Sequence, residues 1–516
     1  MSLSLGDFDA FFAAINAGAR PFSWQRRLLE YILTTGSWPD VIDAPTGAGK
    51  SSVVEVHVFA NAVAAVRKDE SARSVARPPR RLVATVNRRA LVDSHAERAR
   101  RVAQALESPE REPVLQEVAN ALLSLRACEK DAAVQPLVVA KLRGGQRPDR
   151  AWVDAPSACQ VIAGTPDMIG SRLLFHGYGS SRFARPREAG LLAFDTAIVV
   201  DEAHLNRQLL VTARRVHQLV QSEAGRIRTR PVQVCAMTAT QSDGGEVSVG
   251  VHANDLEGPA SDQTLRDRLT RPKPLTLVPT REWPGKGKPS KALAQVIADQ
   301  VTKSLELRAG TVGCVVNTPE LALAVADRLG GSTVRRPHDS HDSDDEGERV
   351  PRVITLVGRM RAVELDALRT EHRSLFTLEG DSEVDVVVAT QTIEVGVDLD
   401  FTSLVTELAP GSAIAQRAGR VNRAGRRPSG PIVVVTPAAA LADDAHSGPY
   451  GAEELRESLE WLERRAQSLD GLSSWAIHRS GQGDPPPRAQ QRRAVFHRPE
   501  VWDVKEWGRT SDDLAA

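Results

Sequence analysis

The sequence predicts an α/β protein made of two doubly wound parallel sheets in tandem, with a short C-terminal helical extension. Three observations carry that prediction. Short continuous apolar runs rich in Val and Ile alternate with helical or polar stretches, the pattern of parallel strands buried on both faces. These runs fall into two groups on either side of a stretch rich in Pro, Gly and Lys. The 516 residues also exceed what one hydrophobic core usually holds.

In chain order, the first group comprises Val41-Ile42, Leu82 to Ala84, Leu137 to Ala140, Val161-Ile162, Ala197 to Val200 and Val232 to Met237. The second comprises Val312 to Val316, Val353 to Leu356, Val384 to Ala389 and Ile432 to Val435. The break near residues 272–290 divides the chain into expected domains 1–272 and 273–440, followed by the extension 441–516. Residues 337–349 are acidic and of low complexity, and read as an exposed loop. Residues 450–468 have helical periodicity with acid–base pairs four apart, and the Pro-rich stretch beyond them reads as a linker. No repeat of solenoid period is visible.

Composition narrows the function classes. Lys+Arg and Asp+Glu both total 66, so the chain does not coat nucleic acid by bulk charge. Four separated cysteines without a CxxC pair argue against structural zinc or a disulfide framework. No apolar run approaches the ~18 residues of a membrane span, and the N-terminus lacks a basic secretory region. A cytoplasmic protein with no membrane partner is expected.

The most specific local signal is Val41-Ile42-Asp43-Ala44-Pro45-Thr46-Gly47-Ala48-Gly49-Lys50-Ser51-Ser52. A strand runs into a Gly-containing loop and then a helix, so backbone N–H groups can face a polyphosphate. Lys50 is expected to reach the β- and γ-phosphates and Ser51 to hold Mg²⁺, which makes ATP and Mg²⁺ the expected cofactors. Ala197 to Val200 form an apolar strand that ends in Asp201-Glu202-Ala203-His204. Ligands of open α/β sheets sit at strand carboxyl ends, so Asp201 is placed to hold Mg²⁺ and Glu202 to polarise the attacking water. Gln416, Arg420 and Arg423 lie in QRAGRVNRAGR of the second group. The two arginines are three apart, so on a helix they share a face and can serve as arginine fingers toward the other half's phosphate loop.

These signals in this order resemble a superfamily 2 DEAH-type helicase, and more narrowly the CRISPR-associated helicase–nuclease recruited by type I Cascade. Phe22 and Gln25 in PFSWQ resemble the adenine-reading element. Met237-Thr238-Ala239-Thr240 is similar to the segment that couples ATP to strand movement, so Thr238, Thr240 and His204 are expected to relay between the halves. The segment 389–398, ATQTIEVGVD, resembles the family's fifth motif; there Gly396 and Asp398 would face the nucleotide, and Thr390 and Gln391 the strand. Asn87, Arg88, Arg143, Gly144, Thr165, Asp167, Asn317 and Arg359 fall in segments similar to the family's strand-tracking elements. The resemblance implies two tandem RecA-like domains, single-stranded DNA as partner, 3′-to-5′ movement and docking on Cascade. Three other readings stay open: a DEAH-type RNA helicase, a restriction-type motor, and a nucleotide-dependent clamp that does not translocate.

Relatives also carry an HD nuclease. The residues here of that type, His338-Asp339-Ser340-His341-Asp342, lie in the acidic loop without helices to converge the ligands. They read as a solvated loop, and the chain is expected not to cut DNA alone. Either it is a fragment of a longer protein or the nuclease is a separate partner. Eleven Lys/Arg between residues 67 and 101 provide a local basic stretch for phosphate contacts. An aromatic content of 4% argues against base stacking as the main mode of binding.

Overall fold

The computed structural model describes residues 3–67, 77–108, 112–126, 135–147, 149–223, 229–238, 247–258, 261–281, 291–331, 350–358, 360–394, 398–441, 449–478, 483–487 and 501. Seven strands form the first sheet: β1 (Val41–Asp43), β2 (Arg81–Thr85), β3 (Leu137–Leu142), β4 (Cys159–Gly164), β5 (Thr196–Asp201), β6 (Gln233–Thr238) and β7 (Ser248–Gly250). Six form the second: β8 (Leu275–Thr280), β9 (Val312–Val315), β10 (Val353–Leu356), β11 (Val386–Ala389), β12 (Ser403–Glu407) and β13 (Ile432–Pro437). The spatial orders are β3-β4-β2-β5-β6-β1-β7 and β10-β11-β9-β12-β13-β8. Every pairing in both sheets is parallel. The predicted two-sheet α/β architecture is what the chain adopts.

Successive strand residues alternate between two apolar layers, as the pleat requires. In the first sheet Leu82, Val161 and Ala197 enter one core, while Val83, Ile162 and Ile198 enter the opposite one. In the second, Val387 and Leu404 face one layer and Val386, Val388 and Val405 the other. Helices cover both faces, so the strands read as continuous hydrophobic runs.

All ten expected strand segments are present, and three strands were not expected. β7 is a short edge strand. β8 lies inside the stretch read as a break and pairs with β13 from Leu275–Ile432 to Thr280–Pro437. As an edge strand it tolerates Pro279. β12 is central and fully buried, yet its sequence is Ser-Leu-Val-Thr-Glu. The helix expected over 450–468 spans Ala452–Ala466, and its Leu455, Trp461 and Leu462 belong to the second sheet's core. It is an integral layer of the second half.

The parallel pairing has one consequence for function. The carboxyl ends of β3, β4, β2, β5, β6 and β1 line a single edge of the first sheet in that order. Asp43 is in register with Thr238, and Met237 with Asp201, so the segments after β1, β6 and β5 are neighbours. Arg143, Thr165 and Asn87 follow β3, β4 and β2 at the other end of the same edge. The phosphate-binding candidates and the strand-contact candidates therefore share one edge and divide it between them.

Candidate nucleotide site and its surroundings

The loop after β1 is shaped by two left-handed glycines, Gly47 (φ 93°) and Gly49 (φ 77°). A β-carbon at Gly49 would lie 3.0 Å from Gln25 Nε2 and 3.3 Å from the Phe22 ring, so only glycine lets the loop seat there. The loop is braced from behind. Trp24 Nε1 donates to the Ala48 carbonyl (3.0 Å) and Gln25 Nε2 to the Gly49 carbonyl (3.2 Å), while Gln25 Oε1 accepts from the Phe22 N–H (2.8 Å). Gln25 was expected to read a base. Its amide is buried and spent at both ends on the chain's own backbone, which corrects that expectation for this arrangement. Ser52 Oγ donates to the Gly49 carbonyl at 2.8 Å. Ser51 Oγ accepts from Arg98 at 3.3 Å, and Arg98 is itself paired with the buried Glu55 at 2.7 Å.

Lys50 Nζ is buried and donates no hydrogen bond; its nearest anion is Glu202 Oε1, 3.8 Å away. An unspent buried ammonium at the mouth of a Gly loop fits an incoming polyphosphate. At the end of β5 the Glu202 backbone is left-handed (φ 45°), a strained conformation for a non-glycine residue. The Glu202 N–H donates to Asp201 Oδ1 at 2.9 Å, and Asn206 Nδ2 donates to the Asp201 carbonyl at 2.8 Å. Burial first, and the Glu202 charge with it, push the Asp201 carboxyl up to about 6, against the opposing pull of Lys50. A desolvated carboxylate at the end of a strand suits a hard cation such as Mg²⁺. Thr238 closes β6 beside Asp43; Thr240 and Gly396 lie outside the described residues, as do Arg359 and the loop 337–349.

The second half faces this loop closely. Gln416 lines a cleft with Pro45, Thr46 and Glu202. The backbone at Gly419 packs so tightly on Thr46 that a β-carbon would sit 2.7 Å from its methyl group. The two expected arginines do not share a helix face, because the helix Gly411–Ala418 ends before both. Arg420 is buried and donates to the carbonyls of Ile393 (3.0 Å) and Glu394 (2.8 Å). It pins its own half's loop and is not directed at the phosphate loop, a second correction. Arg423 is paired with Asp398 at 2.7 Å, and its backbone N–H donates to Asp400 Oδ1. Arg268, whose guanidinium sits 5.7 Å above the Phe22 ring, feels the Arg423 charge.

Among the strand-contact candidates, Arg143 is paired with Asp93 at 2.8 Å, and Gly144 lies against the Arg89 guanidinium. Arg88, Thr165 and Asp167 sit at helix starts beyond β2 and β4. Asn317 is turned inward: it donates to the Leu408 carbonyl (2.8 Å) and accepts from Arg417 (3.0 Å). Thr390 is buried, and Gln391 donates to the Asn317 carbonyl and to the Tyr450 hydroxyl. For Asn317 the strand-facing expectation is corrected to a bracing role within the second half.

The composition gave no signal for a third wall of the cleft. After the helix Ala452–Ala466, the chain pairs with the crossing between the halves: Lys273 N–H donates to the Asp470 carbonyl (3.1 Å) and Leu472 N–H to the Lys273 carbonyl (2.9 Å). Trp475 N–H then donates to the Leu269 carbonyl (2.9 Å), and its ring packs on the first core, whereas Leu472 and Ile477 enter the second. His478 is buried, stacks on Trp475 (5.7 Å) and brings Nε2 to 3.0 Å from Asp43 Oδ1, just ahead of the phosphate loop. With Ser474, Ile477 and Pro486 it lines the same cleft as Thr46, Glu202 and Gln416.

Comparisons with known proteins agree with this fold. The family described as DEAD/DEAH box helicase matches residues 23–246, and the one described as CRISPR-associated nuclease/helicase Cas3, C-terminal, matches residues 310–426. The CRISPR-associated nuclease/helicase Cas3 of Haloferax volcanii is 35% identical over 100 residues, 19% of this chain and 10% of that one. The crystal structure of T. fusca Cas3 superposes with a TM-score of 0.56 at 18% identity, covering 89% of this chain and 51% of that one. Its ATP complex gives 0.55 at 17% identity, covering 90% and 52%. The DEAD-box helicase Mss116 bound to ssRNA gives 0.52 at 11%, covering 91% and 79%. The chain thus spans about half the length of the Cas3 structures it resembles. Among the described residues no helix is long and apolar enough to cross a membrane, and no cluster of three or more His, Cys, Asp or Glu side chains is arranged to hold a metal. The first sheet thus carries a match to the DEAD/DEAH box helicase family and the second a match to the C-terminal part of CRISPR-associated nuclease/helicase Cas3, which makes the chain similar to a Cas3-like superfamily 2 helicase.

Proposed function

We propose that this chain is an ATP-driven, 3′-to-5′ single-stranded DNA translocase that acts in type I CRISPR interference with Cascade and a nuclease. The observation that carries the motor reading is the shared edge. Pro45, Thr46 and Glu202 meet Gln416 of the other half in one cleft, with Lys50 3.8 Å from Glu202, while the strand-contact candidates of the first sheet continue along the same edge. A change at the phosphates can thus reach the strand through the row of β-strand ends.

The roles follow from charge and placement. The Lys50 ammonium is held without a hydrogen-bond acceptor and is offered to the β- and γ-phosphates. Glu202, held in a strained turn 3.8 Å from Lys50, orients and polarises the attacking water. Bound Mg²⁺, held by Ser51 and Asp201, would neutralise developing phosphate charge. Gln416 and Arg423 make the site depend on closure of the two halves, Arg423 by leaving Asp398 for the nucleotide.

The test is ATP turnover by the purified chain with oligo-dT or oligo-rU, alongside Lys50→Ala. Stimulation by oligo-dT, and a loss on the order of 10²–10³ in Lys50→Ala, are expected. Strand displacement from 3′ but not 5′ overhangs checks the direction. Stimulation by RNA alone makes the chain an RNA helicase, and near-normal turnover by folded Lys50→Ala removes the site assignment.

A further inference from the structure

Among the described residues, the exposed aromatic side chains are Phe175 (38%), Tyr178 (61%) and Phe183 (75%), and all three fall in one loop. The loop joins the helices Pro166–Leu173 and Arg185–Ala193, directly after the segment beyond β4. Leaving three rings in water is unfavourable unless something covers them.

The loop is not a loose one. Arg172, 1% exposed, pairs with Glu188 at 3.0 Å and donates to the Tyr178 carbonyl (3.1 Å) and the Met168 carbonyl (2.8 Å). Ser180 Oγ also donates to Glu188, at 2.6 Å. Gly177 has no room for a side chain against Ser180, Arg172 and Glu188, and both Phe175 (φ 61°) and Gly179 (φ 76°) are left-handed. A buried ion pair is a costly way to shape a loop. Here it fixes the backbone from which Tyr178 and Phe183 project.

The charge around the rings has one sign. From Met168 to Arg187 the sequence has no carboxylate, and it has Arg182, Arg185 and Arg187 beside the aromatics. Glu188, the next acid, is neutralised by Arg172. The Arg182 guanidinium lies 5.0 Å over the Phe183 ring, an arrangement that leaves the opposite ring face for a second planar group. Aromatic faces interleaved with arginines suit unpaired bases on a phosphate backbone. Charge complementarity favours that polyanion over a neutral protein surface.

We infer that the loop Phe175–Arg187 is a base-stacking subsite for single-stranded nucleic acid, with Tyr178 and Phe183 as platforms and Arg182, Arg185 and Arg187 as phosphate contacts. This rests on the nucleic-acid reading above and extends it. Stacking, discounted on the low aromatic content, is concentrated in one place.

The experiment measures fluorescence anisotropy of a labelled oligo-dT, and of an abasic-spacer strand of equal length, with the full chain. The variants are Tyr178→Ala, Phe183→Ala, the double variant and Tyr178→Phe, and each is checked by its thermal unfolding midpoint. Each alanine variant is expected to weaken oligo-dT binding about five-fold or more, and the double variant further. Tyr178→Phe is expected to bind like the parent, and all proteins to bind the abasic strand alike. Unchanged oligo-dT affinity in the folded double variant overturns the inference and leaves the patch to a protein partner. An equal loss on the abasic strand also overturns it, because the effect is then not on stacking. If the parent chain binds neither strand, the nucleic-acid reading itself falls and this inference with it.

Discussion

His57 makes the first half of the molecule acid-labile in a way that can be calculated. It lies on the helix Val53–Val66, packed between that helix and the sheet, with no access to water. Nε2 is 3.2 Å from the Arg80 carbonyl and 3.1 Å from the Gln160 carbonyl, so Nε2 carries the proton and donates. Nδ1 faces Asn61 Nδ2 at 3.5 Å, another donor, whose hydrogens already serve the carbonyls of His57 and Pro79. A second ring proton would have no acceptor, and its charge would be buried. Burial pushes the imidazole down to about 4, against an ordinary value of 6.5. Above pH 6.5 both folded and unfolded chains are neutral at this ring, and nothing is lost. Between pH 6.5 and 4 the unfolded chain binds a proton that the folded one refuses, so stability falls as pH falls. From pH 7.5 to 4.5 the loss attributable to His57 is about 2.5 kcal/mol. Urea unfolding of the parent and of His57→Gln, followed by circular dichroism at pH 7.5, 6.5, 5.5 and 4.5, isolates this contribution. Other titrating groups cancel in the difference between the two proteins, and that difference should shift by about 2.5 kcal/mol in the variant's favour. A difference that stays flat with pH would falsify the burial of a neutral His57.

Three further outcomes are expected. Glu202→Gln retains nucleotide binding through Lys50, Ser51 and Asp201 but loses hydrolysis on the order of 10²–10³, and it holds single-stranded DNA longer in ATP; loss of nucleotide binding, measured with a fluorescent ATP analogue, makes Glu202 a ligand instead. His478→Ala removes the contact with Asp43 at 3.0 Å and one lining side chain of the cleft, so the KM for ATP rises by up to roughly ten-fold, about 1.4 kcal/mol. His478→Gln restores part of it, and an unchanged KM in both variants refutes a role for His478 at the loop. The chain alone leaves single-stranded DNA intact with Mn²⁺, Co²⁺ or Ni²⁺; nicking that disappears in His341→Ala makes the acidic loop a metal site.

The strands most legible in the sequence are those whose environment is uniformly apolar. Each of the ten runs of Val, Ile, Leu and Ala became a strand, because a parallel sheet covered on both faces demands apolar side chains at every position. β12 escaped because its neighbours supply polar partners: Thr406 Oγ1 donates to the Val315 carbonyl, and Glu407, pushed up to about 7 by burial, accepts from the Asn317 N–H. The same network misled the reading of Asn317. Its type and position suit a strand contact, but a buried Arg417 had already claimed its side-chain Oδ1. Lys50, Asp201 and Glu202 could be singled out as candidates because phosphate-loop chemistry fixes residue type and spacing together. The direction of Arg420 was not legible, since a three-residue spacing implies a shared face only if the helix continues. Residues 470–478 carry no motif that marks them as part of the cleft, and residues 483–487 fall in a Pro-rich stretch that reads as a linker whether it hangs in solvent or lies in a groove.

That segment also sets an order of assembly. Asp43, just ahead of the phosphate loop, emerges from the ribosome first, and its contact His478 follows 435 positions later. At ordinary synthesis rates the interval is on the order of 20–90 s. The first sheet is therefore made long before its nucleotide cleft has a third wall, and Trp475 reaches its place on the first core only after both sheets exist. A nascent chain has its phosphate loop well before it has the enclosed cleft.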